Sequence, residues 1–173
     1  DLNREYSASI SAALSDFGYS EKLKDHNMSV LVRQPSKKEF LSIDIGSPDD
    51  DIYLGIGWHD REQEYRWAGK KASVMFKVKR VRNFNLQFET KGFYTSQKVK
   101  IYINRKKANE ITIPTGRKLF NIPIDKNFII EGINTIYFIS DSSYRPSDVM
   151  IENLDRRELS YRFYSIALKD NLL

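Results

Sequence analysis

The chain predicts an all-β, antiparallel β-sandwich of jelly-roll type with a short N-terminal helix, and three observations carry that reading. Apolar and polar residues alternate in stretch after stretch from Phe40 onward, the period of a sheet with one face buried and one solvated. Clusters of Gly, Pro, Asn and Asp separate those stretches at short intervals. No helical pattern intervenes, so the strands lack the crossover helices that a parallel sheet requires.

The elements follow in order. Residues 2–17 place Tyr6, Ile10, Ala13, Leu14 and Phe17 near helical spacing and stop at Gly18, a suitable C-terminal cap. Ser7, Ser9, Ser11 and Ser15 weaken that helix, so packing must stabilise it. Residues 28–33 read as a strand ended by Gln34-Pro35. Residues 1–36 are thus a helix and lead-in segment, and residues 37–173 the sandwich domain.

Within the domain, residues 40–45 form a strand closed by Gly46-Ser47-Pro48. In 72–80, Val74, Phe76 and Val78 oppose Lys77 and Lys79. In 83–90, Phe84, Leu86 and Phe88 oppose Asn85, Gln87 and Glu89, and in 98–104, Val99, Ile101 and Ile103 oppose Lys98, Lys100 and Tyr102. A polar turn over 104–109 leads into 110–113 as a hairpin. Further strands fall at 118–124, 135–140 and 161–168, with Glu131-Gly132-Ile133-Asn134 as a turn. About eight to ten short strands result, in keeping with a sandwich.

Composition narrows the chemistry. The 173 residues are 40 % hydrophobic and 13 % aromatic, which is a folding composition. No apolar run is long enough to span a bilayer, and the first residues lack the pattern of a signal peptide. Cysteine is absent, which excludes disulfides, thiol nucleophiles and zinc-thiolate sites. The net charge of +5 is uneven: from Lys70 to Lys107 twelve Lys or Arg face one acid, Glu89, a local +11 that leaves −6 elsewhere. Such a stretch either solvates the outer face of strands or attracts an anionic partner.

Both tryptophans lie in Gly57-Trp58-His59-Asp60-Arg61-Glu62-Gln63-Glu64-Tyr65-Arg66-Trp67. Sugar recognition sets an aromatic face against the apolar side of a pyranose and planar polar groups against its hydroxyls. Trp58, Tyr65 and Trp67 with His59, Glu62 and Arg66 supply that mixture, and they are the candidate carbohydrate-binding residues. The same tryptophans also suit pillars of a sandwich core. Glu62 and Glu64 would share a strand face about 7 Å apart, an arrangement that a glycan-cleaving enzyme could use and that solvated loop acids paired with Arg61 or Arg66 explain equally.

His26 and His59 stand without a nucleophile motif, so the residues nominate no catalytic triad. Asp49-Asp50-Asp51, with Asp141, Asp148 and Asp155 later, could hold a structural calcium, although the spacing is not that of an EF-hand and a surface turn accounts for it as well. No other cofactor is indicated; glycine-rich phosphate and dinucleotide loops are missing. The basic strands carry Tyr102 but not the aromatic consensus of an RNA-binding sheet, which disfavours nucleic acid.

Beyond these local readings, the order of several motifs resembles an accessory β-sandwich found C-terminally in bacterial surface-glycan enzymes and membrane glycosyltransferases. The motifs are Gly57-Trp58, Glu64-Tyr65-Arg66-Trp67, Gly132-Ile133-Asn134-Thr135 and Asp155-Arg156-Arg157-Glu158-Leu159. His59-Asp60-Arg61 departs from the proline and glycine common after the first Trp, and Ser160 stands where glycine is frequent. The resemblance implies a non-catalytic, extracytoplasmic domain that binds carbohydrate or polysaccharide, or supports a larger membrane-associated glycan-processing enzyme. A glycan-cleaving enzyme using loop carboxylates, and an anion-binding module using residues 70–107, stay open as alternatives.

Overall fold

The computed structural model describes residues 19–25, 28–33 and 41–170. The expected N-terminal helix lies outside them. Strands β1 (Tyr19–Asp25) and β2 (Met28–Arg33) pair antiparallel as a small sheet of their own. The remaining strands are β3 (Ser42–Asp44), β4 (Trp58–Glu62), β5 (Tyr65–Ala68), β6 (Lys71–Val78), β7 (Phe84–Gly92), β8 (Gln97–Ile103), β9 (Lys106–Ile113), β10 (Lys118–Ile124), β11 (Gly132–Ser140) and β12 (Tyr161–Asp170). One helical turn, α1 (Pro146–Val149), and two 3-10 turns (Asp50–Ile52 and Lys126–Phe128) interrupt them.

The strands form two antiparallel sheets. The first runs β10-β7-β12-β5-β4, with β3 also on β12; the second runs β6-β11-β8-β9. Consecutive strands from β5 to β12 therefore alternate between sheets except at the β8–β9 hairpin, the winding of a jelly roll. The sandwich expected from the alternation is what forms.

β7 shows why. Phe84, Leu86, Phe88 and Thr90 are buried while every second residue between them is partly open, so one face of the strand points into the core. Phe88 meets Phe138 of the opposite sheet at 5.4 Å between ring centres, and Phe138 meets Phe163 of β12 at 4.8 Å. Val74, Phe76, Ile101, Ile103 and Ile136 complete the same layer. Burial of such side chains stabilises by roughly 1.5–3 kcal/mol each.

Three local structures differ from the sequence expectation. Residues 58–68, with no clear alternation, form the β4–β5 hairpin; the chain reverses at Gln63, whose φ is 43°. β4 is an edge strand, where charged residues are favoured because they discourage pairing with other chains. That charge hides its period. The β8–β9 turn is only Asn104-Arg105, with φ of 49° and 72°, a two-residue hairpin turn. Finally, β11 starts at Gly132, whose φ is 97°. Buried Asn134 donates to the Ile130 and Gly132 carbonyls and accepts from the Ile130 N–H and the Asn104 amide. The Gly-Ile-Asn motif is therefore a turn lock.

Candidate functional site

The β4–β5 hairpin divides the candidate residues between two sides. Ala68 and Arg66 pair with buried Tyr161 and Phe163 of β12 and point inward, so Tyr65 and Trp67 point outward. Trp58, opposite Ala68, also turns in. It packs against the core, meets Phe163 edge-on at 5.6 Å, and donates from Nε1 to the Ser73 carbonyl at 2.8 Å. Gly57 before it has a φ of 84°, and a Cβ there would sit 1.7 Å from the Lys71 carbonyl oxygen. The Gly-Trp pair thus lets the chain cross tightly over β6.

Arg66 is held inside. Its Nε donates to Asp50 Oδ2 at 2.8 Å and its Nη2 to Asp50 Oδ1 at 2.6 Å, with Asp51 Oδ1 at 2.9 Å. Burial works against its charge, but the bonds and attraction of Asp50 win and its pKa is raised. The Gly46 N–H also donates to Asp50 Oδ2 at 2.7 Å. Asp50 is therefore the buried counter-ion of a guanidinium, which uses both its oxygens; Asp49-Asp50-Asp51 forms a structural turn. Among the described residues no three His, Asp or Glu gather as a metal site.

His59 Nε2 lies 2.9 Å from the Glu158 carbonyl oxygen. Glu62 ends β4 and Glu64 lies in the turn, so the two do not share a strand face as the spacing predicts. Glu62 Oε2 accepts from the Tyr65 hydroxyl at 2.9 Å. Its Oε1 is buried without a well-angled hydrogen bond and is compensated by the charge of Arg157 Nη2 at 2.8 Å. Arg157 also grips Asp155 and pulls that carboxyl below its ordinary range. The Asp155-Arg156-Arg157 segment so ties the loop after α1 to β4.

Outward, a run of aromatic rings crosses the first sheet. Tyr164 meets Tyr65 at 5.7 Å, Tyr65 meets Trp67 at 6.0 Å, and Trp67 meets Phe93 at 5.3 Å. Phe93 continues to Tyr94 at 6.5 Å, and Tyr94 to Tyr144 at 5.4 Å. Tyr94 is 55 % exposed and has a φ of 60°, a costly backbone for an aromatic residue. Burial and the Glu62 carboxylate raise the pKa of the Tyr65 hydroxyl.

Two guanidinium groups lie on these rings. Arg162 sits 4.1 Å from the Tyr65 ring centre and 5.1 Å from Trp67. Arg117 stacks 3.8 Å over Tyr164 and grips Glu89 through Nε at 2.6 Å and Nη2 at 2.8 Å, which lowers the Glu89 pKa. A cleft of about 500 Å³ opens at this end, lined among others by Asp44, Gln63, Glu64, Glu89, Arg117 and Tyr164. Trp67 and Tyr164 are each only 8 % exposed, so the open apolar surface is that of Tyr65, Phe93, Tyr94 and Tyr144, edged by fixed planar polar groups, which suits a hydroxyl-rich ligand.

Of the six residues the sequence singles out, the structure brings Tyr65, Trp67 and Glu62 to this region, buries Arg66, packs half-buried Trp58 against the core and sets His59 on the Glu158 carbonyl. Phe93, Tyr94, Arg117, Tyr144, Arg162 and Tyr164 join the region without being among the six. Alternation in β12 carried a signal for Arg162, since inward Tyr161 and Phe163 flank it; the loop tyrosines carried none. The basic stretch does not form one free surface. Lys77 is buried, Lys100 pairs with Asp141 at 2.8 Å, Lys107 with Glu110 at 2.7 Å, and Arg82 with Asp170 at 2.5 Å. No described helix is long and apolar enough to cross a membrane.

No protein-family model matches the chain, and no curated protein does. Solved structures similar to it include a family 35 carbohydrate-binding module from an environmental isolate, at 15 % identity and a TM-score of 0.43 over 69 % of this chain and 77 % of that one. A Podospora anserina GH26-CBM35 β-(1,4)-mannanase matches at 14 % identity and 0.46, over 76 % of this chain but only 27 % of the mannanase. A CBM35 from Cellvibrio japonicus matches at 12 % and 0.41, over 79 % and 90 %.

Proposed function

We propose that this chain is a non-catalytic carbohydrate-binding accessory domain whose ligand lies along the ring-lined outer face of the first sheet. The run from Tyr164 through Tyr65, Trp67 and Phe93 to Tyr94 and Tyr144 is the observation that carries the reading. An exposed tyrosine held at positive φ is the surface a sugar ring would stack on. Glu62 and Glu64, divided by a turn and with Glu62 engaged by Tyr65 and Arg157, give no opposed carboxylate pair. The proposal includes attachment to a larger, membrane-associated glycan-processing enzyme and a place outside the cytoplasm, as the ordered sequence motifs imply.

The test is titration with a panel of glycans, followed by tryptophan fluorescence in a Trp58→Phe background that leaves Trp67 as reporter. A saturable change is expected. Tyr94→Ala should weaken it about fivefold, since an aromatic contact is worth about 1 kcal/mol and 1.4 kcal/mol is tenfold. Binding unchanged in Tyr94→Ala and Tyr65→Ala would rule out the ring face.

A further inference from the structure

Arg162 and Lys91 sit directly opposite each other on β12 and β7, on the outward face of the first sheet. Like charges facing across strands destabilise a sheet, so acids are expected nearby. Among the described residues neither cation has an ion-pair partner. Of the acids near this face, Glu89, two residues from Lys91, is engaged by Arg117, and Glu62 by Arg157 and the Tyr65 hydroxyl, while Asp44 and Glu64 line the neighbouring cleft with Arg117. Arg162 Nε is buried with no hydrogen-bond partner among the described residues, although the side chain bonds the Tyr65 hydroxyl. The Tyr65, Trp67 and Tyr164 rings, with centres 4.1, 5.1 and 5.3 Å from its guanidinium, hold the group in place.

A guanidinium fixed on three rings beside a lysine, with no carboxylate partner among the described residues, is built for an anion brought from outside. We propose that Arg162 and Lys91 form an oxyanion subsite, and that the glycan bound on the ring face is an acidic one, bearing carboxylate or sulfate groups. The inference rests on the glycan-binding reading of this face. With Nε buried, Arg162 would donate to the oxyanion from its terminal Nη groups while Lys91 supplies a mobile second charge, and the sugar carrying the anion would lie toward Phe93 and Tyr94.

The intact chain is titrated with polygalacturonate and dextran sulfate, against methyl-esterified polygalacturonate and dextran as uncharged counterparts. A single-stranded oligonucleotide serves as a different anion. The charged polymers should bind at least tenfold more tightly than their counterparts, and more weakly as salt rises. Lys91→Gln and Arg162→Gln should each abolish most of that preference, whereas Lys98→Gln, on the second sheet, should leave it intact. Circular dichroism checks the fold of each variant, and Lys91→Gln, at a partly open position, keeps the test alive if Arg162→Gln is unstable.

Equal affinity for charged and uncharged polymers would sink the oxyanion subsite and leave glycan binding standing. Binding to none of the four would overturn both. Equal loss in Lys98→Gln would reveal a diffuse charge effect, and tighter binding of the oligonucleotide than of either glycan would point to nucleic acid; each outcome overturns the proposal.

Discussion

Replacing Asp50 by Ala should cost this fold about 3 kcal/mol. Asp50 is 1 % exposed and its two oxygens accept from Arg66 Nε, Arg66 Nη2 and the Gly46 N–H. Removing one partner of a buried pair leaves an uncompensated charge and costs roughly 3–5 kcal/mol. The lower end applies because Asp51, itself exposed, remains 2.9 Å from Arg66 Nη2. With a urea slope of about 1–3 kcal/mol/M, the unfolding midpoint should fall by about 1–3 M at pH 7. The Asp50→Leu, Arg66→Met double variant should recover most of the loss, since well-packed apolar replacements of buried pairs are often neutral. An Asp50→Ala midpoint within a few tenths of a molar of the parent would refute the reasoning, because Arg66 would then be finding water or Asp51 at little cost.

Other expectations concern single contacts. Trp58→Phe removes the Nε1 bond to the Ser73 carbonyl and should lower stability by about 1 kcal/mol without weakening glycan binding; calorimetry of unfolding and a binding titration check the two halves. Arg105→Gly should raise the melting temperature by a few degrees, since Arg105 sits at a φ of 72° and a left-handed residue other than Gly costs roughly 1 kcal/mol. Asp155 is held below its ordinary pKa by hydrogen bonds from Arg157, and Glu89 by those from Arg117. A lowered folded-state pKa stabilises above the ordinary carboxylate range and is lost as pH falls through the lowered value. The urea midpoint should therefore drop between about pH 5 and pH 2, and Asp155→Asn should flatten part of that drop. A midpoint independent of pH in that range would contradict it.

The sandwich was legible because its central strands bury one face only. Phe84, Leu86 and Phe88, or Val99, Ile101 and Ile103, announce their sheet by period two, and every strand so identified after Phe40 is present. β4 and β5 were not legible as strands. On this edge hairpin both faces carry polar or aromatic groups, so composition drew attention to the segment while periodicity did not show which ring points where. Trp58 and Trp67 consequently read alike, although half-buried Trp58 packs against the core and bonds the Ser73 carbonyl while Trp67, 8 % exposed, lies under the rings and Arg162 on the other face. Arg66 looked like a ligand donor because its counter-ion, Asp50, lies sixteen residues away across a turn. Tyr94 and Tyr144 join the ring run only through the fold.

Mapping a bound acidic glycan by backbone and side-chain amide NMR shifts tests the ring face most directly. The shifts moving with ligand concentration should cluster at Tyr65, Trp67, Lys91, Phe93, Tyr94, Tyr144 and Arg162, with the Trp67 indole N–H among the largest and that of Trp58 still. Shifts confined to the second sheet around Lys98 and Tyr102, or a moving Trp58 beside a silent Trp67, would contradict it.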